Sequence, residues 1–160
     1  MDTSLILTLS GARELERVLA SSQYDWQITP MVRSEITCRG TRELIDRAMT
    51  AGRLRIVEID TSDQSQMNAW AEWESVVDIG EAEAIALALA RSWIVGLEGR
   101  QAQRALDRTA GPGRWVNATN LLLDMIADGT MTLAEANAVF VSLDSYPGYR
   151  RRGILGLKQI

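Results

Sequence analysis

The sequence predicts an α/β domain with a central, mainly parallel sheet. Short apolar runs of strand length (Leu54 to Ile59, Trp93 to Leu97 and Trp115-Val116) alternate with longer segments of helical periodicity. Turn and cap residues mark the changeovers, among them Thr29-Pro30, Gly52, Gly111-Pro112-Gly113 and Asp128-Gly129. The 160 residues, 46% hydrophobic and 24% charged, suffice for one domain with a sizeable core. That domain is placed at 1–145, with 146–160 as a C-terminal tail carrying Arg150-Arg151-Arg152.

Taken in order, Leu5-Ile6-Leu7 opens an apolar segment that continues as helix to about Ala20, with Leu15, Val18 and Leu19 on its inner face. By position alone Asp2 is a frayed polar residue. Tyr24 to Ile28 reads as a short strand. Thr29 then supplies an N-cap and Pro30 the first helical position. Glu35 and Arg39, four apart, read as a helical ion pair. Thr41 starts a helix with Leu44, Ile45 and Ala48 inside, and Thr61 to Glu74 is helical with Met67, Trp70 and Ala71 on one side. The five tryptophans read as packing residues before base-stacking platforms. Thr119 to Ala127 is a helix, and Thr132 with Glu135 fits a capping box opening the last one, whose inner face is Ala136, Val139, Phe140 and Leu143.

The chain is organised around Asp78 to Arg104. Gly80 precedes a helix that is apolar nearly all round, and Glu81 and Glu83 fall in its first turn, where acids are favoured by free N–H groups and the helix dipole. The run Trp93 to Leu97 ends at Glu98-Gly99, and an acid at the C-terminal end of such a strand sits where α/β folds bind ligands. Arg100, Arg104 and Arg108 then repeat every four residues as a basic stripe, which is either a solvated face or a phosphate contact.

Composition narrows the chemistry. There is no histidine, which excludes His-based acid–base catalysis and His-ligated zinc. Cys38 is the one cysteine, which excludes disulfide frameworks and CxxC metal sites. Metal chemistry would have to use carboxylates, which favour Mg²⁺ or Mn²⁺. A net charge of −4 gives no global attraction to nucleic acid, although Lys158 is the only lysine and arginine suits bidentate phosphate contacts. No apolar run is long enough to span a membrane and no signal segment opens the chain, so a cytoplasmic protein is expected.

Four pieces line up in sequence order: Asp2-Thr3-Ser4; Thr29-Pro30 followed by Glu35; Gly80-Glu81-Ala82-Glu83-Ala84-Ile85-Ala86-Leu87-Ala88; and Leu97-Glu98 followed by Arg100, Ala102 and Arg104. After them come Val116-Asn117-Ala118-Thr119 and the helix ending at Asp128-Gly129. In this order they resemble the PIN-domain family, in particular its predicted nucleic-acid-binding branch related to the toxins of VapBC-type toxin–antitoxin pairs. The resemblance implies a three-layer α/β/α fold with a central, mainly parallel sheet. It also implies an Mg²⁺- or Mn²⁺-dependent ribonuclease whose metal carboxylates are Asp2, Glu35, Glu81 and Glu98. Glu83 and Asp78 stand near Glu81 as alternatives, and Thr3 or Ser4 would support Asp2 by hydrogen bonding.

The same resemblance implies an RNA substrate met by Arg100 and Arg104, an antitoxin protein as partner, and a homodimer. The alternative function is a catalytically weak or inactive nucleic-acid-binding or protein-interaction module. The sequence departs from the family pattern in three places: Met1 alone stands before Asp2 where the family usually has an apolar strand, the last acid is Glu98-Gly99 where the family usually has Asp followed by a second polar residue, and Asn117 stands where it often has Thr.

Overall fold

The computed structural model describes residues 1–144, so the expected tail at 146–160 lies outside the described residues. The chain is a mixed α/β domain, mostly helical, with a few short parallel strands. It opens with α1 (Thr3–Gly11) and α2 (Leu15–Ala20), then β1 (Trp26–Ile28), α3 (Pro30–Glu35), α4 (Arg39–Thr50) and β2 (Leu54–Ile56). It continues through α5 (Gln64–Glu74), α6 (Ile79–Ala90), β3 (Val95–Gly96), α7 (Arg100–Ala110), β4 (Trp115–Val116), α8 (Ala118–Ala127) and α9 (Leu133–Asp144).

Caps set most of the boundaries. Thr29 accepts from the Val32 N–H ahead of Pro30, and Asn117 and Asn120 form a reciprocal capping box on α8. Thr132 and Glu135 bond each other's backbone N–H as the sequence predicts. The N-terminal segment is not one helix to Ala20. It breaks between α1 and α2, where Arg13 takes φ 63, a left-handed turn that helical periodicity does not register. The main core joins α1, α2, β1, α4, α8 and α9 through fully enclosed residues such as Leu5, Leu15, Ile28, Ile45 and Leu122, each contributing about 1.5–3 kcal/mol by leaving water. A second cluster unites α6, β3 and α7 through Ile85, Val95, Leu97, Ala102 and Leu106.

The strands do not form a single ladder. β1 pairs in parallel with β2, Gln27 opposite Arg55, and β3 pairs in parallel with β4, Gly96 opposite Val116. The expected strand Leu54 to Ile59 pairs only to Ile56, and Trp93 to Leu97 only at Val95–Gly96. What joins the pairs is the start of the chain. The Met1 ammonium donates to the Gln27 carbonyl at 2.8 Å, and the Asp2 N–H donates to the Gly96 carbonyl at 2.9 Å. In a parallel ladder alternate residues face opposite sides. The Ile28 carbonyl faces β2 and accepts from Val57, so Gln27 turns its main chain the other way, toward Met1. A cavity of about 310 Å³ lies beside this junction, lined by both strand pairs and by Ala84 and Leu87 of α6.

The tryptophans serve packing. Trp26 and Trp73 are buried, the Trp26 indole N–H donates to the Val18 carbonyl, and that of Trp115 donates to Asp107 at 2.8 Å. Among the described residues, no helix is long and apolar enough to cross a membrane.

Candidate carboxylate site

Asp2 is the centre of the site and is the opposite of a frayed terminus, since its exposure is 0%. Its main chain is fixed to Gly96, and its Oδ1 accepts from the Leu5 N–H at 2.8 Å, capping α1. The other oxygen, Oδ2, is enclosed, and the Asp2 carboxyl shares a hydrogen bond with the Glu81 carboxyl. Burial pushes the Asp2 carboxyl above its ordinary range, with the Leu5 N–H, the Met1 ammonium and Ser4 acting the other way.

Two glutamates are set against it. Glu81, in the first turn of α6, is pushed up to about 7, first by burial and then by the charge of Asp2, with Asp78 and Glu35 adding. Glu98, directly after β3, is also pushed up to about 7 by burial, and the charge of Asp2 adds to this. The Ala118 N–H at the start of α8 donates to Glu98 Oε1 at 2.7 Å and opposes the rise. Glu35, the last residue of α3, accepts a hydrogen bond from the Thr3 hydroxyl.

The structure brings the four acids together only in pairs: Asp2 acts on Glu81 and on Glu98, and Glu35 acts on Glu81. The expected ion pair of Glu35 with Arg39 is absent. Helix α3 stops at Glu35 and Ile36 is extended, so Arg39 starts a new helix and its Nε donates to Glu43 Oε1 at 2.8 Å. Between the candidates in α6, Glu81 is the one that acts with Asp2, whereas Glu83 is buried within α6 with its Oε2 unpartnered. The supporting residues divide the work: Ser4 acts on Asp2, and Thr3 serves Glu35 instead.

Carboxylates crowded without a cation repel one another. Among the described residues, no three acidic, cysteine or histidine side chains close on a point as a formed ligand set. The side chains concerned offer oxygen atoms alone, the ligand type that hard cations such as Mg²⁺ and Mn²⁺ take.

Arg100 opens α7 immediately past Gly99, and Arg104 follows one turn later. Both are exposed, because Ala102, Gln103, Ala105 and Leu106 form the buried face of that helix. Sequence reasoning missed Gln103, whose buried amide donates to the Leu97 carbonyl at 2.7 Å and fixes the backbone leading into Glu98. A lone glutamine on an apolar helix face was the available signal. No protein family, curated protein or solved structure matches this chain.

Proposed function

We propose that this chain is a divalent-metal-dependent ribonuclease of the PIN-domain kind, with the three-layer α/β/α arrangement of that family, and that it is the toxin of a toxin–antitoxin pair. Asp2, Glu35, Glu81 and Glu98 would hold Mg²⁺ or Mn²⁺. The observation that carries the reading is the wholly enclosed Asp2, hydrogen-bonded to Glu81, with two glutamates raised to about 7 around it. Stability alone gives no reason to bury a carboxylate among carboxylates. A divalent ion bound there supplies a nucleophilic water and neutralises charge developing on the phosphate, so no histidine is needed.

The chain's own residues supply the rest. The Asp2–Gly96 main-chain bond and the Ala118 N–H fix two carboxylates on separate elements, and Thr3 orients a third. Arg100 and Arg104 continue outward from Glu98 along α7 and would meet phosphates flanking the scissile bond. An antitoxin protein and a second copy of the chain are the partners of this reading.

The alternative, a catalytically weak or inactive nucleic-acid-binding or protein-interaction module, is favoured by one observation. Glu35 and Glu98 each spend an oxygen on a protein donor, as structural acids do. Cleavage of a structured RNA with Mn²⁺ decides between them. Wild type should cut, and Asp2→Asn should lose at least about 100-fold, the scale on which small misplacements act. Equal cutting by both would show that the activity belongs to a contaminant.

A further inference from the structure

Two glycines hold the carboxylates of the proposed site in place by having no side chain. A Cβ built on Gly80 would lie 2.6 Å from Glu35 Oε1 and 2.7 Å from Oε2. A Cβ built on Gly99 would lie 2.6 Å from Glu81 Oε1. Each carboxylate thus occupies the space of a missing methyl group on a different element: Glu35 of α3 on the first turn of α6, and Glu81 of α6 on the N-cap of α7.

Backbone conformation does not explain either glycine. Among the described residues, the positive-φ glycines are Gly52, Gly111, Gly113 and Gly129. Gly80 lies inside a helix, where alanine is the better former, and Gly99 has φ −66 and ψ 116, which any residue adopts. Nor does packing against a rigid wall, since the atoms met are the far ends of flexible glutamates. Gly96 differs: a Cβ there would meet Leu5 Cδ2 at 2.5 Å and the Met1 main chain at 3.3 Å, so its role is packing.

Both seats are also electrostatically suited. Asp78 and Gly99, the N-caps of α6 and α7, make no side-chain cap hydrogen bond, and α7 has no acid of its own in its first turn. A carboxylate delivered from another element supplies the negative charge that a helix N-terminus favours.

We propose that Gly80 and Gly99 are positioning residues for the metal carboxylates, forming seats that hold Glu35 beside Glu81 and Glu81 beside Asp2. This rests on the carboxylate-site reading above. An added methyl group displaces a carboxylate and leaves the fold in place.

The test compares wild type, Gly80→Ala and Gly99→Ala with Gly40→Ala, a helical glycine whose Cβ would meet nothing within 4 Å. Three measurements are made on the full chain: metal-free melting temperature, calorimetric Mn²⁺ affinity and crystal structure. Gly80→Ala and Gly40→Ala should melt close to wild type, and Gly99→Ala a few degrees below it because alanine is the poorer N-cap. Wild type and Gly40→Ala should bind Mn²⁺ equally, and Gly80→Ala and Gly99→Ala should bind at least tenfold more weakly, with Glu35 or Glu81 respectively turned away in the crystal. Wild-type affinity in both seat variants, or carboxylates unmoved beside the new methyl group, would overturn the inference. If wild type itself binds no Mn²⁺, the metal reading falls, and displacement in the crystals still decides the seats.

Discussion

Asp2 donates its main-chain N–H to the Gly96 carbonyl at 2.9 Å, and this bond ties the first candidate acid to the strand that leads to the last, Glu98. The chain start thereby belongs to the interior, and its side chain faces carboxylates contributed by elements far along the sequence.

Mn²⁺ should stabilise the wild-type chain. A ligand that binds the folded state alone at 100 times its Kd adds about 2.7 kcal/mol, or roughly 5–10 °C in melting temperature for a chain of this size. Asp2→Asn keeps a good N-cap for α1 and removes the central charge, so its metal-free melting temperature at pH 8 should equal or exceed that of wild type. Its Mn²⁺ shift should nearly vanish. Scanning fluorimetry with Mn²⁺ and with a chelator measures both, and equal Mn²⁺ shifts in the two proteins would remove Asp2 from the site.

Stability should fall as pH rises. Glu81 and Glu98 titrate near 7 in the folded chain against an ordinary 4.5. Between these values the folded state binds more protons than the unfolded one, so their contribution is complete below about pH 4.5 and is lost as pH rises through about 7. The buried Met1 amine, pushed down from 8.0 to about 6, acts oppositely and adds stability from about pH 6 to 8. The metal-free chain should therefore lose stability from about pH 5 to 7, with the Met1 amine offsetting part of the loss above about pH 6, and Asp2→Asn should show a shallower loss. Urea midpoints at each pH test this, and a midpoint that climbs steadily from about pH 5 to 7 would contradict it.

Thr3→Val should release Glu35. The lost hydroxyl bond to a charged acceptor costs about 1.5–3 kcal/mol when the acceptor stays buried, and less here because Glu35 is half-buried and regains water. Stability should drop by about 1 kcal/mol while Mn²⁺ affinity falls further, and Thr3→Ser should restore both. A variant indistinguishable from wild type in both measurements would show that the Thr3 bond does not position Glu35.

Arg104→Ala should weaken RNA binding across sequences and reduce the slope of log affinity against log salt by about one phosphate contact. Asp2→Asn should retain most of its RNA affinity while losing cleavage. Filter binding at several salt concentrations separates the two. An unchanged salt slope in Arg104→Ala would make the α7 stripe a solvated face.

The sequence by itself determined the local structure and the chemical limits. Caps such as Thr29-Pro30 and the Thr132–Glu135 box, the inner face of α9 and the alternation of helices with short strands act within a few residues of chain, so they are readable without the fold. The absence of histidine and of paired cysteines limited metal chemistry to carboxylates in the same way. Tertiary structure decided what depends on distant partners. It made Asp2 an enclosed hub, turned Glu35 from Arg39 to Thr3, chose Glu81 over Glu83 beside Asp2, and split the strands into two pairs joined by Met1 and Asp2. Gly80 and Gly99 were visible as letters, but the space they leave open is filled by carboxylates from other elements, and only packing brings those carboxylates there.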